Sequence, residues 1–220
     1  MNASLEASKV LELTITVASI GVAITTLEFL SDEHSFRSGG IYDWSLLKYR
    51  YPFAIGKHPL ARTLDLLLRF PNVLVVLASR ACAAIVLVAA VGEPHWRIAA
   101  VLVVYITNVL ILHVWSIYRR GSDGMTSLIF GVALLVAIGR NSELVVHVGV
   151  WFIALQSLLS YCGNGLTKIG APDWRAGTAV LDIFRDRTYG SPGAVLLLEN
   201  RPIVSKMLSW SMVVMEIAFP

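Results

Sequence analysis

Apolar residues in this chain are gathered into runs long enough to cross a lipid bilayer, and that spacing limits the fold more than any other feature. Val10–Leu30, Pro71–Val91, Ile98–Tyr118, Met125–Gly139, Leu144–Tyr161 and Ile203–Phe219 are each dominated by aliphatic side chains. A helix needs about 20 such residues to traverse the hydrocarbon core. The fourth run, at 15 residues, is short for a full crossing and would borrow from the loop before it. The expectation is an all-α fold, a polytopic transmembrane helical bundle of about six spans, forming a single domain over residues 1–220.

Composition points the same way. Hydrophobic residues make up 56% of the chain, charged residues only 15%, and the mean hydropathy is +0.68. These values lie outside the range of soluble domains. The net charge of +3 would suit an acidic partner. The basic residues, however, sit in loops between apolar runs, where membrane orientation accounts for them, and nucleic acid is not expected as a partner. Of 18 basic residues, 13 fall in the odd-numbered loops and three on the other side. The positive-inside rule then places the odd loops in the cytoplasm and the N-terminus outside. No removable signal peptide is visible, so the first span is expected to remain as an anchor. The last run is still apolar at Pro220, which suggests a chain truncated at its C-terminus.

Two polar stretches interrupt the apolar pattern. Residues 31–70 mix Tyr42, Trp44, Tyr49 and Tyr51 with six basic residues, as interfacial segments do. Within them, Leu60–Arg69 has helical apolar spacing and predicts an amphipathic surface helix. Gly177–Tyr189 predicts a second one.

The segment most able to carry chemistry is Tyr161–Ala179. It follows an apolar run directly, yet holds Lys168, Asp173, Trp174 and Arg175 among four glycines. Charges beside a bilayer are costly unless they face a protected polar cavity. Gly163, Gly165 and Gly170 would loosen the backbone and Pro172 would open a short helix, giving a re-entrant or interfacial elbow. Removal from water disfavours the charged form of an amine, which is the condition a lysine base requires. The plainer alternative for Lys168 is an anchor that snorkels to the headgroups. Trp174 and Arg175 fit either an aromatic-belt pair or a clamp in which the arginine grips a carboxylate such as Asp123. Glu28 lies at the corresponding end of its own span.

Arg80, near the middle of the second run, is expected to pair with Asn108 or a backbone carbonyl inside the bundle. His113 and His147 belong to opposite membrane faces, so no metal site is expected. Cys82 and Cys162 are read as small buried hydrophobes. The sequence carries none of the phosphate-loop, nucleophile-elbow or His-Glu-x-x-His patterns.

Gly165-Leu166-Thr167-Lys168-Ile169 followed by Trp174-Arg175-Ala176-Gly177-Thr178-Ala179 resembles the signature of the HTTM superfamily, the membrane domain shared with vitamin K-dependent gamma-carboxylase. Gly121-Ser122-Asp123-Gly124-Met125, two spans earlier, resembles a second patch of that family. The Trp-Arg-x-Gly-Thr-Ala form looks most like bacterial members related to sporulation-delaying-protein maturation, membrane proteins needed to produce a secreted peptide toxin. The resemblance follows most of the chain in span order, with specific identity confined to these patches.

By position, the resemblance implies that Lys168 is a catalytic base; Glu28, Asp123, Trp174 and Arg175 are read as lining the pocket around it. It implies membrane lipids, a secreted peptide precursor and a second maturation factor as partners, and a bacterial cell membrane as the location. Two departures leave the cofactor unknown. Thr126 and its neighbours stand where the carboxylase has a histidine, and the large propeptide-binding region is missing. The alternative is a non-catalytic membrane partner that docks the peptide precursor or protects the producer from it.

Overall fold

The computed structural model describes residues 2–51, 54–55, 58–89, 94–114, 121–139, 142–186 and 190–218; the side chains of residues 2–4, 94–95, 112–114 and 121–123 lie outside that description. Among the described residues every regular element is helical. The helices are α1 (Asn2–Ser31), α2 (Trp44–Leu47), α3 (Pro59–Leu68), α4 (Asn72–Ala89), α5 (Pro94–Val114), α6 (Gly121–Ile138), α7 (Glu143–Gly170), α8 (Pro172–Ala176), α9 (Ala179–Arg185), α10 (Pro192–Glu199) and α11 (Pro202–Ala218). Three of them, over Leu5–Ser31, Asn72–Ala89 and Glu143–Gly170, are long and apolar enough to cross a membrane. Trp96–Ile111 and Gly124–Ile138 are shorter apolar helices. The chain divides into two compact units, residues 1–153 and 154–220, with the boundary inside α7.

In the first unit α1 packs on α4 and α6, α4 on α5, and α5 on α6, which closes a four-helix ring. Leu11, Ile15, Val22, Ala84, Val104 and Phe130 fill its centre. Alanines at positions 81, 83 and 84 are buried on α4. Their small side chains let helix backbones approach, the usual device where apolar burial gives no net drive against lipid.

The polar groups of this ring point inward. Ser19, Thr26, Arg80, Thr107 and Asn108 are buried, while Leu13, Val17, Ile24, Val75 and Ile106 are exposed. That distribution suits a lipid surround and would be costly in water. Ser19, Thr26 and Thr107 return their hydroxyl protons to carbonyls one turn back, at 2.7, 2.5 and 2.7 Å. Arg80 Nη2 donates to Asn108 Oδ1 at 2.7 Å, and Asn108 Nδ2 donates to Ser127 Oγ at 2.6 Å, so one polar thread crosses α4, α5 and α6. The pairing of Arg80 with Asn108 is the one expected from their mid-run positions.

A second core cluster caps one end of the ring. Phe36, Trp44, Leu47, Leu64, Leu68, Val73 and Leu77 are buried together, with Phe29 and Tyr42 packed against them. Trp44 Nε1 donates to Asp65 Oδ1 at 2.7 Å, tying α2 to α3. As its spacing predicts, α3 is amphipathic. Ala61, Leu64 and Leu68 are its buried positions, and the latter two join the cap core. Asp43 caps α2, accepting N–H bonds from Ser45 at 2.9 Å and Gly39 at 2.8 Å.

Cys82 departs from expectation. It is exposed on α4, and Cys162 is half-buried. Where all sides of a helix are apolar, composition cannot say which side meets protein, and the buried face of α4 is occupied by Arg80, Ala81, Ala83 and Ala84 instead.

Candidate functional site around Lys168

The anticipated elbow is sharper and later than the glycines suggest. α7 stays helical through Gly163, Gly165 and Gly170, and the chain turns only at Ala171, ahead of Pro172 at the start of α8. A mid-helix glycine costs roughly 1 kcal/mol against alanine, too little to break a helix by itself. Gly165 is buried and serves close packing. A Cβ there would sit 2.6 Å from Ile217 Cγ1 and 3.4 Å from Glu216 Cβ on α11. At Gly163 a Cβ would meet nothing within 4 Å.

α8 ends at Gly177, whose φ of +86° is the left-handed conformation that glycine adopts without a Cβ penalty. Its N–H bonds to the carbonyls of Asp173 and Trp174, and Ser205 Oγ on α11 donates to its carbonyl at 2.8 Å. A Cβ at Gly177 would lie 2.6 Å from Lys206 Cα, so α11 rests directly on this turn. Ser209 continues the contact by donating to the Ser205 carbonyl at 3.0 Å and accepting the Val180 N–H at 3.4 Å. Ser205, Ser209 and Val213 are the buried positions of α11. Their spacing of four marks one helix face, and Glu216 extends it by three residues.

The predicted surface helix after the elbow is therefore shorter than expected. It is α9 (Ala179–Arg185), with Ala179 and Val180 buried. Arg185 donates to Asp182 within α9 at 3.1 Å and to Glu199 at 2.7 Å, the second bond joining α9 to α10. These carboxylates raise the affinity of the Arg185 guanidinium for its proton, the Glu199 hydrogen bond chiefly.

These constraints fix Lys168. Its Nζ donates to Glu216 Oε1 at 2.5 Å, and lies 4.5 Å from the centroid of the Trp174 ring. About a fifth of each side chain remains exposed, 22% for Lys168 and 20% for Glu216. The second carboxylate oxygen, Glu216 Oε2, is buried with no hydrogen-bond partner among the described residues. Trp174 faces a second feature as well: an open pocket of about 390 Å³ lined by Asp173, Trp174, Ala179, Asp182, Ile183 and Asp186.

Lys168 and Trp174 thus come together as the sequence suggests. Arg175 is exposed on α8. Glu28 is exposed near the end of α1, in the first unit. Asp123 opens α6, and its side chain lies outside the described residues. Glu216 was missed by sequence reasoning. The signal was present, because it is the only carboxylate in the apolar run Ile203–Phe219, and an ionisable group in such a run is a functional candidate by default.

Chemically, an amine, a carboxylate and an aromatic face meet here in a partly dehydrated recess. Amine and carboxylate neutralise each other and are close enough to exchange a proton, while the ring covers the amine on one side. Among the described residues, no three histidine, cysteine or carboxylate side chains form a group that would hold a metal ion. Comparison with protein-family models, curated proteins and solved structures finds no match to this chain.

Proposed function

We propose that the chain is a multi-pass integral membrane protein of the HTTM type, akin to the bacterial toxin-peptide maturation members, located in a bacterial cell membrane. It acts on a peptide or lipid-soluble substrate at the polar site around Lys168. Support comes from the Lys168–Glu216–Trp174 cluster, which gathers two residues of the resembling motif and a carboxylate from α11. In the ion-paired state the lysine carries the proton. In this proposal Lys168 passes that proton across the 2.5 Å hydrogen bond to Glu216, leaving a neutral amine. The neutral amine then takes a proton from the substrate. Arg175, exposed one residue after Trp174, supplies an orienting charge.

The test compares producing cells carrying Lys168→Ala, Lys168→Arg and Glu216→Gln, with mature peptide in the medium measured by mass spectrometry and insertion by alkali-resistant membrane fractionation. A lysine base requires that both Lys168 variants insert normally and yield no product, because a guanidinium does not surrender its proton. Normal maturation by Lys168→Arg would end that role.

A second reading has its own observation. The contact between Lys168 and Glu216 also joins α7 to α11, as a structural clamp under a docking surface would. In that case the chain is a non-catalytic partner or immunity protein for a secreted peptide. Lys168→Arg then keeps activity and Lys168→Glu loses it.

A further inference from the structure

Residues 32–71 connect the end of α1 to the start of α4, two candidate spans that pack against each other, so the cap they form lies at one end of the ring. If the first unit is embedded in a bilayer, as the membrane reading above requires, this cap sits at the level of the headgroups.

Most of its acidic groups are engaged internally. Glu33 pairs with Arg37 at 2.6 Å, Asp65 takes Trp44 Nε1 and Lys48, and Asp43 caps α2. Arg50, Arg62 and Arg69 are exposed, and none has an acidic partner among the described residues. On α3 the exposed Arg62 and Leu66 lie one turn apart, opposite the buried Leu64 and Leu68, and the exposed Arg69 follows in extended conformation directly after the helix. Apolar side chains on the same segments are exposed as well: Leu46 is 60% exposed, Tyr49 68% and Leu66 64%. In water such residues gain nothing from exposure. At a membrane boundary, basic heads bind phosphates while apolar and tyrosine side chains enter the acyl edge.

We infer that this cap is a docking surface for anionic phospholipid, in which Arg50, Arg62 and Arg69 engage headgroup phosphates and Leu46, Tyr49 and Leu66 reach the acyl boundary. The partner is lipid in the surrounding leaflet. Charge complementarity and the mixed basic and apolar rim select it over an apolar protein partner.

The experiment first inserts the full chain into phosphatidylcholine nanodiscs, then measures retention of phosphatidylglycerol over phosphatidylcholine by native mass spectrometry. Wild-type protein retains the anionic lipid. A basic residue near an anionic surface contributes about fivefold in affinity, so R50Q/R62Q/R69Q lowers it on the order of 100-fold. R50K/R62K/R69K keeps the preference, and the control pair K9Q/R201Q leaves it unchanged. The inference falls if the triple glutamine variant matches wild type, if the control pair weakens retention equally, or if millimolar inorganic phosphate displaces the lipid. Loss of preference in the lysine variant would also overturn it. Failure of wild type to enter phosphatidylcholine nanodiscs would refute the membrane reading itself, whereas insertion without lipid preference refutes only the docking surface.

Discussion

Lys168 on α7 and Glu216 on α11, 48 residues apart in sequence, meet with Nζ 2.5 Å from Oε1, and the Trp174 ring lies beside the amine. Three helices of the second unit are tied together at this point.

Removing one partner of the pair should cost more than removing both. Lys168→Met leaves Glu216 without its amine, with Oε2 already buried and unpartnered, and is expected to destabilise by about 3 kcal/mol. Lys168→Met with Glu216→Leu should recover most of that loss. Denaturant unfolding of the four species closes the cycle, and additive single effects would show that the two groups are uncoupled.

The glycines of α7 should respond oppositely to alanine. Gly165→Ala drives a methyl to 2.6 Å from Ile217 and should cost roughly 1 to 3 kcal/mol. Gly163→Ala meets open space and should stabilise by about 0.5 to 1 kcal/mol through helix propensity. Gly177→Ala should be the most damaging of the three, since it combines a positive φ with a clash against the α11 backbone. Thermal unfolding ranks the three variants directly.

Asn108 accepts from the buried Arg80 and donates to Ser127, so Asn108→Leu removes both bonds of the thread at once. A hydrogen bond to a charged group contributes about 1.5 to 3 kcal/mol, and a loss of that size is expected in detergent unfolding. Ser127→Ala, which removes only the outer neutral bond, should cost about 1 kcal/mol. Equal losses would place the weight of the thread elsewhere.

Acid should loosen the cap through Asp43. Burial alone would raise its carboxyl, but hydrogen bonds from Gly39 and Ser45 outweigh that and hold it below the ordinary aspartate range. The unfolded state therefore binds the proton more readily, and stability rises with pH across this range. The contribution is fully present above the ordinary carboxylate range and disappears as pH falls through the lower folded value. Asp43→Asn should flatten the unfolding temperature below about pH 4 and lower it at neutral pH. An unchanged acid limb would remove Asp43 from the account.

Much of this was legible in the chain itself. Long apolar runs dictate helices, because a backbone surrounded by hydrocarbon must satisfy its own hydrogen bonds. Lone polar residues at the middle of runs, Arg80 and Asn108, must find each other, since lipid offers neither a partner. The Lys168–Trp174 neighbourhood was legible because Pro172 forces a turn between them within six residues.

Tertiary structure decided what depends on which side of a helix faces protein. Gly165 is a packing residue only because α11 crosses it, so its glycine, read alone, suggested a bend that occurs instead at Ala171. Cys82 faces outward because Arg80 and three alanines already fill the inward side of α4. Glu216 becomes the partner of Lys168 through a return of the chain spanning 48 residues. Sequence by itself thus determined the helices and the amine that needs a counter-charge; folding alone chose which carboxylate supplies it, because that choice depends on long-range packing that local periodicity does not encode.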